Sequence, residues 1–197
     1  MKKNFFLTFF LVLCLTQKSF GYSSDPKQFI TEIVNEAKSI LIETNSKEFK
    51  TQKLSELALE TVDIKGVGFY SLGKYRKSLN EEQLTEYLSL FEKYFLKSFT
   101  SRLTDYSNPK IDVLSVEVVN DKYTIVKSVL LATDKKPEVK IEWRVYTKNP
   151  EKPLIRDLII EGLSLARTQK EEFSSVIETN AGDVTKLFIT LKNFINK

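Results

Sequence analysis

The hydrophobic period of this chain changes twice, and the order of those periods restricts its fold more than any other feature. Up to Asn108-Pro109 the apolar residues recur at helical spacing. From Ile111 to Ile160 they alternate or run on continuously, as strands do, and after Gly162 the helical spacing returns. Helices, then successive strands joined by short turns, then helices again describe one α+β domain around an antiparallel meander. A parallel sheet would need a long crossover between neighbouring strands, and no helical stretch separates these.

The helical regions carry their own start signals. Asp25-Pro26 offers an N-cap carboxylate followed by a proline whose missing N–H costs nothing there. Phe29, Ile30, Ile33, Val34, Ala37, Ile40 and Leu41 then fall on one face. A shorter helix carries Leu54, Leu57 and Ala58. Asp63 can cap a third, running through Val67 and Phe69 to Leu72 and stopping near Gly73. Asn80 with Gln83 forms a variant capping box. It opens the longest helix, whose Leu84, Tyr87, Leu88, Phe91, Tyr94, Phe95, Phe99, Leu103 and Tyr106 form a broad aromatic stripe.

Four strands are predicted. Ile111 to Val119 and Tyr123 to Ala132 are joined by Asn120-Asp121 as a hairpin turn, and Asp134 to Pro137 turns the chain again. Val139, Ile141, Trp143 and Val145 alternate with Lys140, Glu142 and Arg144, the pattern of a half-exposed strand. Leu154 to Glu161 is the fourth, closed by Gly162. It and the second strand are apolar on both faces, so both faces are expected to be covered. Two helices finish the chain, one carrying Phe173, Val176 and Ile177, the other capped by Asp183.

The first 21 residues stand apart. Lys2 and Lys3 precede an apolar run from Phe5 to Leu15, broken only by Thr8. Such a run covers roughly 16 Å as a helix, about half of a ~30 Å hydrocarbon core. With small Ser19 and Gly21 before Tyr22, residues 1–21 are predicted to be a cleavable signal peptide, leaving 22–197 as a single exported domain. An uncleaved anchor or a lipidated Cys14 are the alternatives, and Leu13 before Cys14 is bulkier than lipoprotein processing prefers. Cleavage would remove three lysines from a chain of net charge +4, along with its only cysteine. What remains is nearly neutral, with no basic face for nucleic acid and no disulfide. A chain of this size can bury roughly 70% of its unfolded surface and does not need one.

Catalytic chemistry is poorly supplied. The sequence has no histidine, which removes the commonest general base and the commonest metal ligand. The six glycines form no phosphate-cradling loop. Asp157 and Glu161 share a strand face about 13 Å apart, too far for a glycosidase pair. The chain is expected not to be an enzyme, and no metal or other cofactor is expected. What it has in excess is aromatic and aliphatic surface, with 14 Phe and 8 Tyr. That surplus fits either a filled core or an apolar cavity between helices and sheet.

Two segments carry a family resemblance. One is Val62-Asp63-Ile64, Gly66 to Tyr75, then Asn80 to Gln83 and the stripe through Phe91, Phe99, Arg102, Leu103 and Tyr106. The other is Asp157-Leu158-Ile159-Ile160-Glu161-Gly162-Leu163-Ser164-Leu165, with Phe173 closing it. In order and spacing they resemble the MlaC family, also known as the toluene-tolerance or ABC-transporter auxiliary family. The sequence departs from that pattern at Pro153 and Arg156, where the family has Trp-x-x-Tyr, and at Thr168, Gln169 and Lys170, where many members have Asn-Tyr-Arg. A sister branch linked to hopanoid export shares much of the pattern.

The resemblance implies a monomeric periplasmic carrier holding phospholipid tails in an apolar pocket as cargo. It would pass the lipid between an inner-membrane ABC transporter complex and an outer-membrane lipoprotein–porin complex, maintaining outer-membrane asymmetry. Two buried acyl chains of ~16 carbons would gain on the order of 20 kcal/mol before ordering costs, so release into water is closed off. Pocket candidates are Leu72, Tyr75, Phe91, Phe95, Phe99 and Leu103 from the helices. The sheet side offers Val129, Leu131, Ile141, Trp143, Val145, Leu158 and Ile160, with Leu163, Leu165 and Phe173 beyond. Asp63, Gly73, Asp157, Glu161 and Gly162 are expected to hold structure. Other readings are an exported module for a peptide or envelope protein, and a small cone-fold isomerase or hydratase with a carboxylate or tyrosine at its pocket base.

Overall fold

The structure, a computed structural model, describes residues 21–106, 108–133 and 137–197. The expected signal peptide up to Phe20, Cys14 within it, and most of the turn at 134–137 lie outside the described residues.

Side chains start most of the helices. Helix α1 (Pro26–Ile42) is capped by Asp25, α2 (Lys47–Thr61) by Ser46 and α3 (Ile64–Leu72) by Asp63. A 3-10 turn, Gly73–Ser78, leads to α4 (Glu81–Leu103), where Asn80 and Gln83 make both bonds of the capping box at 2.8 and 3.1 Å. Each such cap is worth about 1 kcal/mol. Helix α5 (Leu165–Glu178) is capped by Ser164. The last helix, α6 (Thr185–Ile195), departs from expectation. Its preceding residue is Val184, and Asp183, expected as the cap, accepts instead from the Thr185 N–H at 2.9 Å, two residues on.

The sheet has five strands among the described residues, in the order β1 (Ile111–Asn120), β2 (Tyr123–Leu130), β3 (Val139–Tyr146), β4 (Leu154–Ile160) and β5 (Leu163–Ser164), all antiparallel. The fifth strand corrects the expected four. Glu161 and Gly162, with φ of 49° and 81°, reverse the chain in two residues, so that Leu163 pairs back on Ile160. Two residues carry no detectable period, which hides such a strand from pattern reading. The first hairpin is also shifted. Asn120 still pairs with Tyr123, so its turn is Asp121-Lys122, and the Asn120 side chain accepts from the Lys122 and Tyr123 N–H groups.

Register decides the faces. Val126, Trp143 and Leu158 form one row across β2, β3 and β4, and Ser128, Ile141 and Ile160 the next, all on the inner face. Lys127, Glu142 and Ile159 lie on the other face, with Ile125, Arg144 and Asp157.

Two apolar cores result. Helices α1 and α2 lay Phe29, Ile30, Ile33, Leu54 and Leu57 onto one end of the inner face, against Val126, Val145 and Ile155. The other core lies among α3, α4, α5 and α6, with fully buried Tyr87 at its centre, its ring 5.8 to 6.5 Å from those of Phe91, Phe188 and Phe173. Gly68 is where α3 meets α4: a Cβ there would stand 2.8 Å from the Phe91 ring, and its carbonyl accepts from the Tyr87 hydroxyl at 3.0 Å. Helix α4 serves both cores, through Tyr87, Leu90 and Phe91 in its first half and Phe99 and Leu103 in its second.

Candidate functional site

The second half of α4 meets the inner face of the sheet through its side chains, with Phe99 and Leu103 packed against the core that also holds Trp143 and Leu158. Helix α4 packs closely on α2, α3 and α6, and its backbone approaches no strand as closely. From Phe95 to Leu103 the stripe that is buried at Phe91 becomes half-buried. Phe95 and Phe99 stack on each other, centroids 5.9 Å apart and planes within 9°. On the sheet side, Trp143 and Leu158 pack against the same core as Phe99 and Leu103, and Ile141 and Ile160 share their sheet face; all four strand residues are half-buried. Central-strand side chains facing a helical layer are ordinarily covered. These half-open apolar side chains are the candidate lining of a binding site.

Its floor is held in place by hydrogen bonds. Trp143 Nε1 donates to Ser128 Oγ at 2.8 Å, so the indole has its polar atom satisfied and offers an apolar ring. Leu163 lies opposite Ile160 in the ladder and is 59% exposed, which puts an uncovered leucine at one margin.

Of the residues expected to line a pocket, Phe99, Leu103, Trp143 and Leu158 pack against one core, Ile141 and Ile160 share the sheet face of Trp143, Leu163 pairs beside Ile160, and Phe95 stacks on Phe99 while packing against the helical core. Others sit elsewhere. Leu72, Phe91 and Phe173 are buried in the helical core, and Val145 is sealed against the core under α1 and α2. Tyr75 lies at the rim of the helical core and donates its hydroxyl to Glu178 at 3.1 Å. Leu165 is the half-buried first residue of α5. Val129 pairs with Lys140 and is directed to the face opposite Trp143. Leu131 lies past the end of β2, its N–H bonded to the Lys110 carbonyl at 2.8 Å. Tyr106, Ile111 and Val113 pack with Phe99 and Trp143 and were not among the candidates. Tyr106 ends the aromatic stripe, so its signal was present; Ile111 and Val113 needed the strand register.

The expected structural residues do bond the elements together. Asp157 is buried, accepting from Ser164 Oγ at 2.6 Å and Ala166 N–H at 2.9 Å, which ties β4 to the start of α5. Glu161 instead clasps β3, taking the Lys140 N–H at 2.5 Å. Asp63 receives Arg156 at 2.6 Å, while Arg156 also donates to the Tyr123 hydroxyl and lies 3.5 Å over the Tyr146 ring. Burial opposes the charge of that guanidinium, but the bonds to Tyr123 and Asp63 outweigh it and raise its pKa. Gly73 has φ of 54°, and a Cβ there would meet the Lys170 side chain. Gln169 accepts from Tyr94, whose phenol pKa burial pushes up. Two positions that depart from the family pattern, Arg156 and Gln169, thus have partners of their own.

A separate groove of about 560 Å³ runs between α3 and α5, lined by Tyr70, Arg167, Lys170, Glu171 and the hydroxyls of Ser174, Ser175 and Thr179. Its mixed charge suits no acyl chain, and none of the pocket candidates lines it. A smaller one of about 230 Å³ lies beside Asp63. Among the described residues no three His, Cys, Asp or Glu side chains are grouped to hold a metal ion, and no helix is long and apolar enough to cross a membrane.

Among the described residues the elements define an α+β protein, six helices with an antiparallel sheet whose inner face carries half-buried apolar side chains. Residues 28–193 match the family model described as MlaC protein, and the chain belongs to that family. Among solved structures it is similar to a phospholipid-binding protein from Ralstonia solanacearum in complex with a phospholipid. The two share 19% identity and a TM-score of 0.72, over 88% of this chain and 97% of that one. At that identity the likeness shows a common fold.

Proposed function

We propose that this chain is an exported, periplasmic phospholipid carrier, taking acyl chains into the cleft between α4 and the inner sheet face. One observation carries the reading: Trp143 and Leu158 on the sheet and Phe99 and Leu103 on α4 meet at one core yet all stay half-buried. Membership of the MlaC family supports it. So does the phospholipid held by the Ralstonia protein of the same fold. The carrier would exchange lipid with an inner-membrane ABC complex and an outer-membrane lipoprotein–porin complex, preserving outer-membrane asymmetry. No carboxylate lies on the cleft floor rows, where Asp157 faces away and is spent on α5, so a binding role is favoured over isomerase chemistry.

Native mass spectrometry of the purified protein tests this. Bound species with phospholipid masses are expected. Phe99→Glu, which places a charge among apolar side chains, is expected to lower lipid occupancy about tenfold or more while the protein remains folded. A hopanoid mass would change the cargo, and a co-purifying peptide with no lipid would overturn the reading.

A further inference from the structure

Along β2, β3 and β4 the inner face passes from sealed to open, and Trp143 stands where it changes. The row of Thr124, Val145 and Ile155 is buried, with Val145 and Ile155 in the core that α1 and α2 cover. The next row, Val126, Trp143 and Leu158, is fully buried only at Val126. Beyond it Ile141 and Ile160 are half-buried, and Leu163 beside Ile160 is exposed. An apolar chain laid on this face finds open surface at the Ile160 and Leu163 end and filled core at the Val145 end. It therefore runs from the first towards the second.

The lean of the indole decides how far such a chain reaches. Trp143 pairs with Val126, and Ser128 lies two residues along β2, opposite Ile141. Because Trp143 Nε1 donates to Ser128 Oγ at 2.8 Å, the ring turns from its own row over the next, towards the open end. Rows on one face are two strand residues apart, roughly 7 Å, so a ring turned this way occupies the length of several methylenes. Ser128 is 3% exposed, and its hydroxyl also lies 3.4 Å from the Ile141 carbonyl. It is small enough to leave room for the indole and polar enough to satisfy its N–H.

On the carrier reading above, we infer that Trp143 is the stop of the acyl site. Its indole meets the methyl ends of the phospholipid tails and sets the longest tail accepted, with Ser128 as its positioning residue. Longer tails are excluded because the core behind the indole is filled, by Phe29, Ile30 and Leu54 among others. Truncating an indole here vacates an apolar space on the order of 150 Å³, a size that stays dry and takes up apolar groups.

The test offers lipid-free protein an equimolar mixture of saturated phosphatidylglycerols that differ only in chain length, and reads the bound masses by native mass spectrometry. Wild type is expected to take a narrow band of lengths. Trp143→Ala should move the mean upward by about two to four carbons as tails fill the vacated space. Trp143→Phe, a smaller change that also loses the N–H, should move it the same way by less, and serves if the alanine variant does not fold. Ser128→Ala should broaden the band, and Ser128→Thr, which keeps the hydroxyl, should restore it. Leu54→Ala loosens the core behind the indole without opening the face, so it should lower the thermal midpoint and leave the lengths unchanged. Phospholipid bound with the same lengths in wild type and both Trp143 variants overturns the stop and leaves the carrier standing. So does an equal shift in Leu54→Ala. No phospholipid bound by the wild type overturns both.

Discussion

At Asp157 a single carboxylate joins sheet to helix. Buried, it accepts one hydroxyl and one backbone N–H where β4 hands over to α5. Asp157→Ala leaves both donors without their acceptor, and the expected loss is about 1–3 kcal/mol of stability in urea denaturation. Lipid occupancy of the surviving folded protein should be unchanged, because the carboxylate faces away from the cleft. This role was legible in the sequence, since a lone acid in an apolar strand must be paired. The role of Arg156 was not: it departs from the family pattern, and only the fold shows Asp63, Tyr123 and Tyr146 converging on it.

Elements were legible where their signals are local. Asp25, Asp63 and the Asn80–Gln83 box each announce a helix within four residues, and each does what it announces. Sheet faces were not, because alternation fixes which residues share a strand face but not which faces of neighbouring strands coincide. Val129 and Trp143 alternate equally well, and pairing across a connection of eight residues puts Val126, not Val129, beside Trp143. Close packing of helices is similarly readable only in part. Nothing local in the sequence marks Gly68 as a packing contact, yet it is where α3 rests on Phe91. Gly68→Ala should therefore cost about 1–3 kcal/mol by overpacking, despite alanine being the better helix former. A thermal midpoint at or above wild type would show that the two helices have room.

For the molecule as a whole, the decisive arrangement is two packed cores sharing one long helix. Helix α4 is fully committed among α3, α5 and α6 at Tyr87 and Phe91, then leaves Phe95, Phe99 and Leu103 half-covered above the sheet. The aromatic stripe predicted both halves as one surface; only the fold separates the part that is filled from the part that is open. The same arrangement supplies its own probe, since Trp143 is the single tryptophan of the chain and lies on the inner sheet face where the acyl chains are proposed to bind. The direct measurement is Trp143 emission with phospholipid brominated on its acyl chains, compared with the unbrominated lipid at equal occupancy. If acyl chains lie between α4 and the sheet, bromine should quench most of the emission, and Phe99→Glu should abolish the quenching along with the binding. Stoichiometric binding of brominated lipid with Trp143 emission unchanged would place the cargo elsewhere and contradict the account.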